Sequence, residues 1–109
     1  MSATPRGTAT PLGDAHGKVT DVQGFVDWLG DAVLYAMEPP LCGFPRVVAS
    51  TMPDAPRVRF SGGVEYGVET FLYGVSNDNI IAEDREELPG SGWGNTAQQA
   101  LAEAGYRIV

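Results

Sequence analysis

The chain is poor in the residues that most often carry catalysis or bind metals. Among its 109 residues it has a single cysteine, Cys42, and a single histidine, His16. A lone cysteine excludes an intrachain disulfide, and Cys42 is expected to be a small buried hydrophobe. A nucleophile needs an adjacent base, and a metal needs several ligands at suitable spacing. The sequence therefore predicts no enzyme active site, no metal site and no cofactor.

Long apolar runs are also missing. No stretch approaches the roughly 20 apolar residues that a membrane-spanning helix needs, and residues 1–18 contain no apolar core of a secretion signal. We therefore expect a cytoplasmic protein that makes no contact with a membrane.

Positive charge is scarce. The chain has 14 acidic and 7 basic residues, which gives a net charge of −7. Binding to a nucleic-acid backbone needs clustered Lys and Arg, so direct nucleic-acid binding is disfavoured, whereas a protein partner with a basic surface is favoured. The preference for Arg over Lys, together with many Ala, Gly and Pro residues, is typical of GC-rich genomes such as those of actinobacteria and their bacteriophages.

The N-terminal third predicts a tail followed by a helix. Residues 1–18 are rich in Ala, Thr, Pro and Gly and lack apolar periodicity, which is typical of a disordered tail. The single domain is then expected to span residues 19–109. Thr20 and Gln23 match a capping box, and apolar residues recur at three- and four-residue steps up to Met37, as they do on one face of an amphipathic helix.

The rest of the chain predicts strands and a second helix. β-branched and alternating segments indicate strands, with turns at the Pro-rich and Asn-rich positions between them. In the central hairpin, charge and hydrophobicity favour the register that places Arg59 opposite Glu65. Thr96 and Gln99 repeat the capping box, and a short strand follows that helix. The expected strands are 46–52, 57–61, 64–75, 80–83 and 106–109, and the expected turns are 53–56 and 76–79.

Together these elements predict an α+β fold in the order α-β-β-β-β-α-(β). Short hairpin connections favour an antiparallel sheet of about four strands, with the N-terminal and C-terminal helices packed on one face.

The predicted N-terminal helix carries the best candidate surface. Acidic side chains and large aromatics suit a protein-binding face, because aromatics dominate binding hot spots and acids steer basic partners. The same pattern also fits the solvated face of an ordinary amphipathic helix whose aromatics widen the core stripe. Trp93, in a later loop, is either a lid over the core or an exposed anchor. The predicted partner-binding residues are Asp27, Trp28, Asp31, Tyr35 and Trp93.

Residues 90–96 form a Gly-rich loop that leads into the second helix. Such a loop can bind an anion through its backbone amides, although its spacing matches neither the dinucleotide fingerprint nor the P-loop. A flexible linker that ends in a helix cap is the alternative interpretation.

The segment 88–105 resembles the end of the HicB-type antitoxin domain. In that family a Leu-Pro-Gly turn is followed by a Gly-Asp-Thr helix cap and an Ala/Leu-rich helix. The matching residues here are Leu88, Pro89, Gly90, Gly94, Asn95, Thr96, Ala100 and Leu101. The resemblance covers about a sixth of the chain and implies a toxin-neutralising role.

The leading hypothesis is a non-enzymatic module that binds or inhibits another protein. Three alternatives stay open: a small-molecule or anion-binding domain that uses residues 90–96, a HicB-like antitoxin, and a structural component of a larger assembly such as a phage particle.

Overall fold

The computed structural model describes residues 7–109, and over this range the chain is mostly β-structure. The strands are β1 (Gly7–Asp14), β2 (Thr20–Asp21), β3 (Gly24–Phe25), β4 (Asp31–Leu41), β5 (Phe44–Val58), β6 (Val64–Val75), β7 (Gly92–Trp93) and β8 (Tyr106–Ile108), and the helix is α1 (Ala97–Glu103). Strands account for 56% of the structure, so the predicted α+β layout with two helices is wrong.

Six of the strands form one curled sheet that resembles half of a barrel. Their order is β7-β6-β5-β4-β1-β8, and β2 pairs with β3 in a small separate ribbon. Neighbouring strands in the large sheet are antiparallel except β1 and β8, which are parallel.

The predicted N-terminal helix over residues 20–37 is wrong. That stretch forms β2, β3 and the first part of β4 instead. Gly24 and Gly30 account for much of the difference, because their φ angles of +128° and +77° lie outside the helical region. The apolar residues at helical spacing divide between core and solvent: Val26 is buried, whereas Val22 is 87% exposed.

From residue 7 onward, the structure is folded where the sequence predicts a disordered tail. β1 lies inside the sheet, between β4 and β8, and Ala9 within it is completely buried. The folded unit therefore includes residues 7–18. The composition of this segment, which lacks apolar periodicity, gave no sign of a paired strand. Residues 1–6 of the predicted tail lie outside the described residues.

The central strands at 46–52 and 64–75 are confirmed, as parts of β5 and β6. The turn predicted at 53–56 is wrong, because β5 continues to Val58 through a register shift between Met52 and Ala55. Such a β-bulge lets a strand bend without ending.

The register of the β5–β6 hairpin differs from the prediction by two residues. The structure places Arg57, rather than Arg59, opposite Glu65, and it places Val58 opposite Val64. A shift of two residues keeps every side chain on its expected face, because the strand repeat is two. Both arginines contact the same carboxylate, at 2.6 Å from Arg57 and 3.5 Å from Arg59.

Several short elements agree with expectation. The turn at 76–79 is confirmed by the hydrogen bond from the Asn79 amide to the Ser76 carbonyl oxygen at 3.0 Å. The last strand is confirmed as β8. The strand expected at 80–83 is reduced to single bridges, one of them between Ile81 and Val75.

The β4–β5 connection is a tight turn at Cys42 and Gly43. Both residues have positive φ, +51° and +85°, as the two central residues of a type I′ hairpin require. This conformation turns the cysteine outward, so Cys42 is exposed and the expectation that it would be buried is wrong.

The large sheet has a hydrophobic core on each face. One core packs α1 against β4, β5 and β6 and includes Tyr35, Val47, Leu72 and Leu101. The other core lies on the opposite face, beneath the segment that precedes β4. It includes Ala15, Val19, Val26, Leu34, Val48, Val75 and Ile81.

The C-terminal helix and its cap are confirmed. The Thr96 hydroxyl accepts from the Gln99 amide at 3.3 Å, and the Gln99 side chain accepts from the Thr96 amide at 2.8 Å. Leu101 carries the packing of this helix, since its side chain is completely buried. Within residues 7–109, no helix is long and apolar enough to cross a membrane.

Replacing Leu101 by alanine tests how firmly α1 is packed on the sheet. We expect Leu101→Ala to lower the free energy of unfolding by about 2–5 kcal/mol, as large-to-small changes in a core do. The matched control is Leu29→Ala, whose side chain is 76% exposed and which should change that energy by less than about 0.5 kcal/mol. Chemical denaturation followed by circular dichroism measures both, and equal losses would contradict the packing described.

Candidate functional site

A groove of about 280 Å³ lies on the sheet face opposite α1. The segment between β3 and β4 forms one wall, and side chains of β5 and β6 form the floor. The lining residues are Val26, Asp27, Trp28, Leu29, Ser50, Met52, Phe71, Tyr73, Ile81 and Arg85. Two of the five predicted partner-binding residues, Asp27 and Trp28, therefore lie together in this groove, which we call the Trp28 groove.

Three aromatic rings give the Trp28 groove its apolar character. The rings of Trp28 and Tyr73 have centroids 5.8 Å apart, and those of Phe71 and Tyr73 are 6.3 Å apart. Phe71 and Tyr73 share a face because they are two residues apart in β6. Burial raises the pKa of Tyr73 above its ordinary value, so its hydroxyl stays neutral at physiological pH. All three rings are partly exposed and available for contact.

The Trp28 indole nitrogen is an unusual donor. It is buried and has no hydrogen-bond acceptor among the residues that the structure describes. A buried donor without an acceptor costs about 1–3 kcal/mol.

Of the two charged side chains at the groove, one forms an ion pair and the other does not. Arg85 is held by Asp21, with Nη2 and Oδ2 2.5 Å apart. Asp27 is exposed and forms no ion pair within residues 7–109. The groove therefore presents a free carboxylate beside its aromatic rings.

A contact with the preceding turn supports the Trp28 segment. The His16 ring bonds the Asp14 carboxylate through Nδ1 at 2.6 Å, and its Nε2 lies 3.3 Å from the Trp28 carbonyl oxygen. The hydrogen bond to Asp14, followed by that to Trp28, raises the pKa of His16. The backbone and side-chain hydrogen bonds from His16 lower the pKa of Asp14. The histidine ring thus links the end of β1 to the wall of the groove.

Asp31 and Tyr35 do not join the groove. Asp31 begins β4 and borders a separate hollow with Asp14 and His16. Tyr35 is only 6% exposed and belongs to the core beneath α1. The surface predicted from helical spacing is therefore corrected. Asp27 and Trp28 precede β4, whereas Asp31 and Tyr35 lie within it, so the helical repeat that would place all four on one face does not apply.

Trp93 lies on β7 and is held by intramolecular contacts. Its indole nitrogen donates to the Ala55 carbonyl oxygen at 2.9 Å, and the Arg57 guanidinium lies 3.8 Å from the centre of its ring. A Cβ at Gly67 would come within 2.6 Å of the ring, so a glycine is required beneath it. Trp93 therefore packs on the β5–β6 hairpin, where it is half-buried.

The Gly-rich loop 90–96 uses several of its amides within the fold. The Ser91 amide donates to Leu88, the Gly94 amide to Val68, and the Thr96 amide to the Gln99 side chain. These donors are not free for an anion. Among residues 7–109 there is also no group of three His, Cys, Asp or Glu side chains that could hold a metal ion.

The sequence interpretation missed the floor of the groove. For Phe71, Tyr73, Ser50 and Met52 the sequence pattern predicts only that each lies in a strand. The available signal was the pair of aromatics two residues apart, which in a strand share one face.

The chain matches no protein-family model, no curated protein and no solved structure. The resemblance of residues 88–105 to the HicB-type domain stays a prediction.

The contact between His16 and Asp14 predicts a titration that can be followed directly, because the chain has one histidine. A raised pKa means that the histidine's contribution to stability is complete below its ordinary pKa of about 6.5 and is lost as the pH rises through the folded value. NMR titration of the ring protons should give a midpoint above that of an unstructured peptide. Asp14→Asn should lower the midpoint, and an unchanged midpoint would show that the carboxylate is not its cause.

Proposed function

We propose that the protein is a non-enzymatic binding module whose Trp28 groove holds a short extended segment of a partner protein. The segment carries an Arg or Lys next to an apolar residue. The observation that supports this proposal is the free Asp27 carboxylate beside the partly exposed rings of Trp28, Phe71 and Tyr73.

The chemistry of the groove favours such a segment. Aromatic rings provide large apolar contact areas with little side-chain entropy to lose, and they are enriched in binding hot spots. A guanidinium can stack on an aromatic ring while it pairs with Asp27. The same combination already occurs within the molecule, where Arg57 stacks on Trp93 and pairs with Glu65.

Net charge and groove size favour a protein segment over a small metabolite. A net charge of −7 speeds the encounter with a basic partner. Typical small-molecule sites are clefts of about 300–1,000 Å³, and this groove of about 280 Å³ lies just below that range. The alternative anion site at residues 90–96 has weaker support, because several of its amides are occupied within the fold.

Selection from a random peptide library on the full chain tests the proposal. We expect enriched peptides to contain Arg or Lys beside an apolar residue. Isothermal calorimetry should show that Asp27→Lys weakens their binding about tenfold, equivalent to about 1.4 kcal/mol. The Trp28 indole proton should shift on binding in an NMR spectrum, because the ring lines the groove.

Asp78→Lys is the matched control. Asp78 is exposed in the turn before Ile80 and does not line the groove, so the same change of charge should leave affinity almost unchanged. Enrichment of acidic peptides, or equal losses in the two variants, would contradict the proposal.

A further inference from the structure

The end of the β5–β6 hairpin extends beyond the rest of the sheet. Pairing between β4 and β5 stops at Asp31 and Thr51, whereas β5 and β6 remain paired up to Val58 and Val64. We call this two-stranded extension, residues 53–68, the arm. A two-stranded hairpin alone is marginally stable in water, so the contacts of its two faces matter.

One face of the arm is covered within the molecule. Trp93 packs over Gly67 and bonds the Ala55 carbonyl oxygen. Arg57 lies between this ring and Glu65. These contacts hold the arm in a defined orientation in the free chain.

The other face is apolar and uncovered. Val58 and Val64 are 76% and 52% exposed, Tyr66 is 68% exposed, and Phe60 at the tip is fully exposed. Strand alternation places Val64 and Tyr66 on the same face of β6 as Leu72, which α1 covers. The arm therefore continues the core face beyond the helix.

The free edge of β5 does not favour the addition of another strand. Pro53 and Pro56 lie in this part of β5 and cannot donate a backbone hydrogen bond. Proline on an edge strand is a common device against edge pairing. A partner of the arm is therefore expected to use its apolar face.

Charge identifies the occupant that this face suits. The arm carries Asp54 and Glu65 against Arg57 and Arg59, so its net charge is zero, while that of the whole chain is −7. Two copies of the chain repel each other through most of their surfaces, but not through their arms. We propose that the apolar face of the arm is a self-association surface, on which the arm of a second copy packs face to face.

The area of the apolar face of the arm sets the expected affinity of the dimer. An aromatic side chain buries about 150–250 Å², so two aromatics and two valines offer on the order of 400 Å² per copy. Patches of about 300–600 Å² are often functional, but a standard interface buries about 800 Å² per partner. We therefore expect a weak and reversible dimer.

Sedimentation equilibrium of the full chain over a concentration series, up to about 1 mM, tests the proposal. We expect a monomer–dimer equilibrium that strengthens with added salt, because salt screens repulsion between the acidic bodies. The double variant Phe60→Ser/Tyr66→Ser should abolish the dimer. Val22→Ser is the matched control, since it removes an 87% exposed side chain outside the arm and should leave the dimer intact.

A spin label locates the contact independently of those variants. The label is placed by Ser61→Cys in a Cys42→Ser background and mixed with unlabelled, ¹⁵N-enriched chain. Broadening concentrated at residues 58–66 supports the proposal, and broadening elsewhere overturns it. A monomer at all concentrations also overturns it, as does a double variant that still dimerises. If the double variant loses binding to the selected peptides and the unchanged chain does not self-associate, the arm binds a different partner and the proposal is overturned.

Discussion

Leu72 and Tyr73 are neighbours in β6, and their side chains enter opposite cores. A strand places successive side chains on opposite faces, so a sheet with apolar residues at consecutive positions needs a cover on both sides. Here α1 covers one face, and the segment between β1 and β4 covers the other. The candidate site depends on this division, because the Trp28 groove lies where the second cover ends and the rings of Phe71 and Tyr73 emerge.

The sequence predicted the parts of the fold that depend on local chemistry. The capping box at Thr96 needs only two side chains three residues apart along the chain, and the β5–β6 pairing follows from alternation. The N-terminal half could not be predicted in this way. Its apolar residues fit a helical repeat, but β4 is buried on both faces, and a strand of that kind is nearly continuous in apolar residues rather than alternating. β1 was not predicted because its sequence lacks apolar periodicity and both of its partner strands, β4 and β8, are distant in the sequence.

The candidate site divides in the same way. Asp27 and Trp28 were identified because an acid beside a large aromatic suits binding in any secondary structure. Asp31 and Tyr35 were added to them only through helical spacing. In the structure both lie in β4, away from Asp27 and Trp28, and Tyr35 enters the core. Phe71 and Tyr73 come from a strand more than 40 positions further along the chain, so only the tertiary fold brings them to Trp28.

Trp93 helps to define one of the two candidate surfaces of the molecule. By packing on Gly67 and stacking against Arg57, it covers one face of the arm, where Glu65 neutralises the charge of Arg57. The uncovered face is then left apolar, on the part of the molecule with no net charge. The Trp28 groove has the opposite character, with a free carboxylate beside its rings. A molecule with net charge −7 is therefore expected to attract basic segments at the groove. It is expected to associate with its own copy only at the arm, because like charges oppose any other approach of two copies.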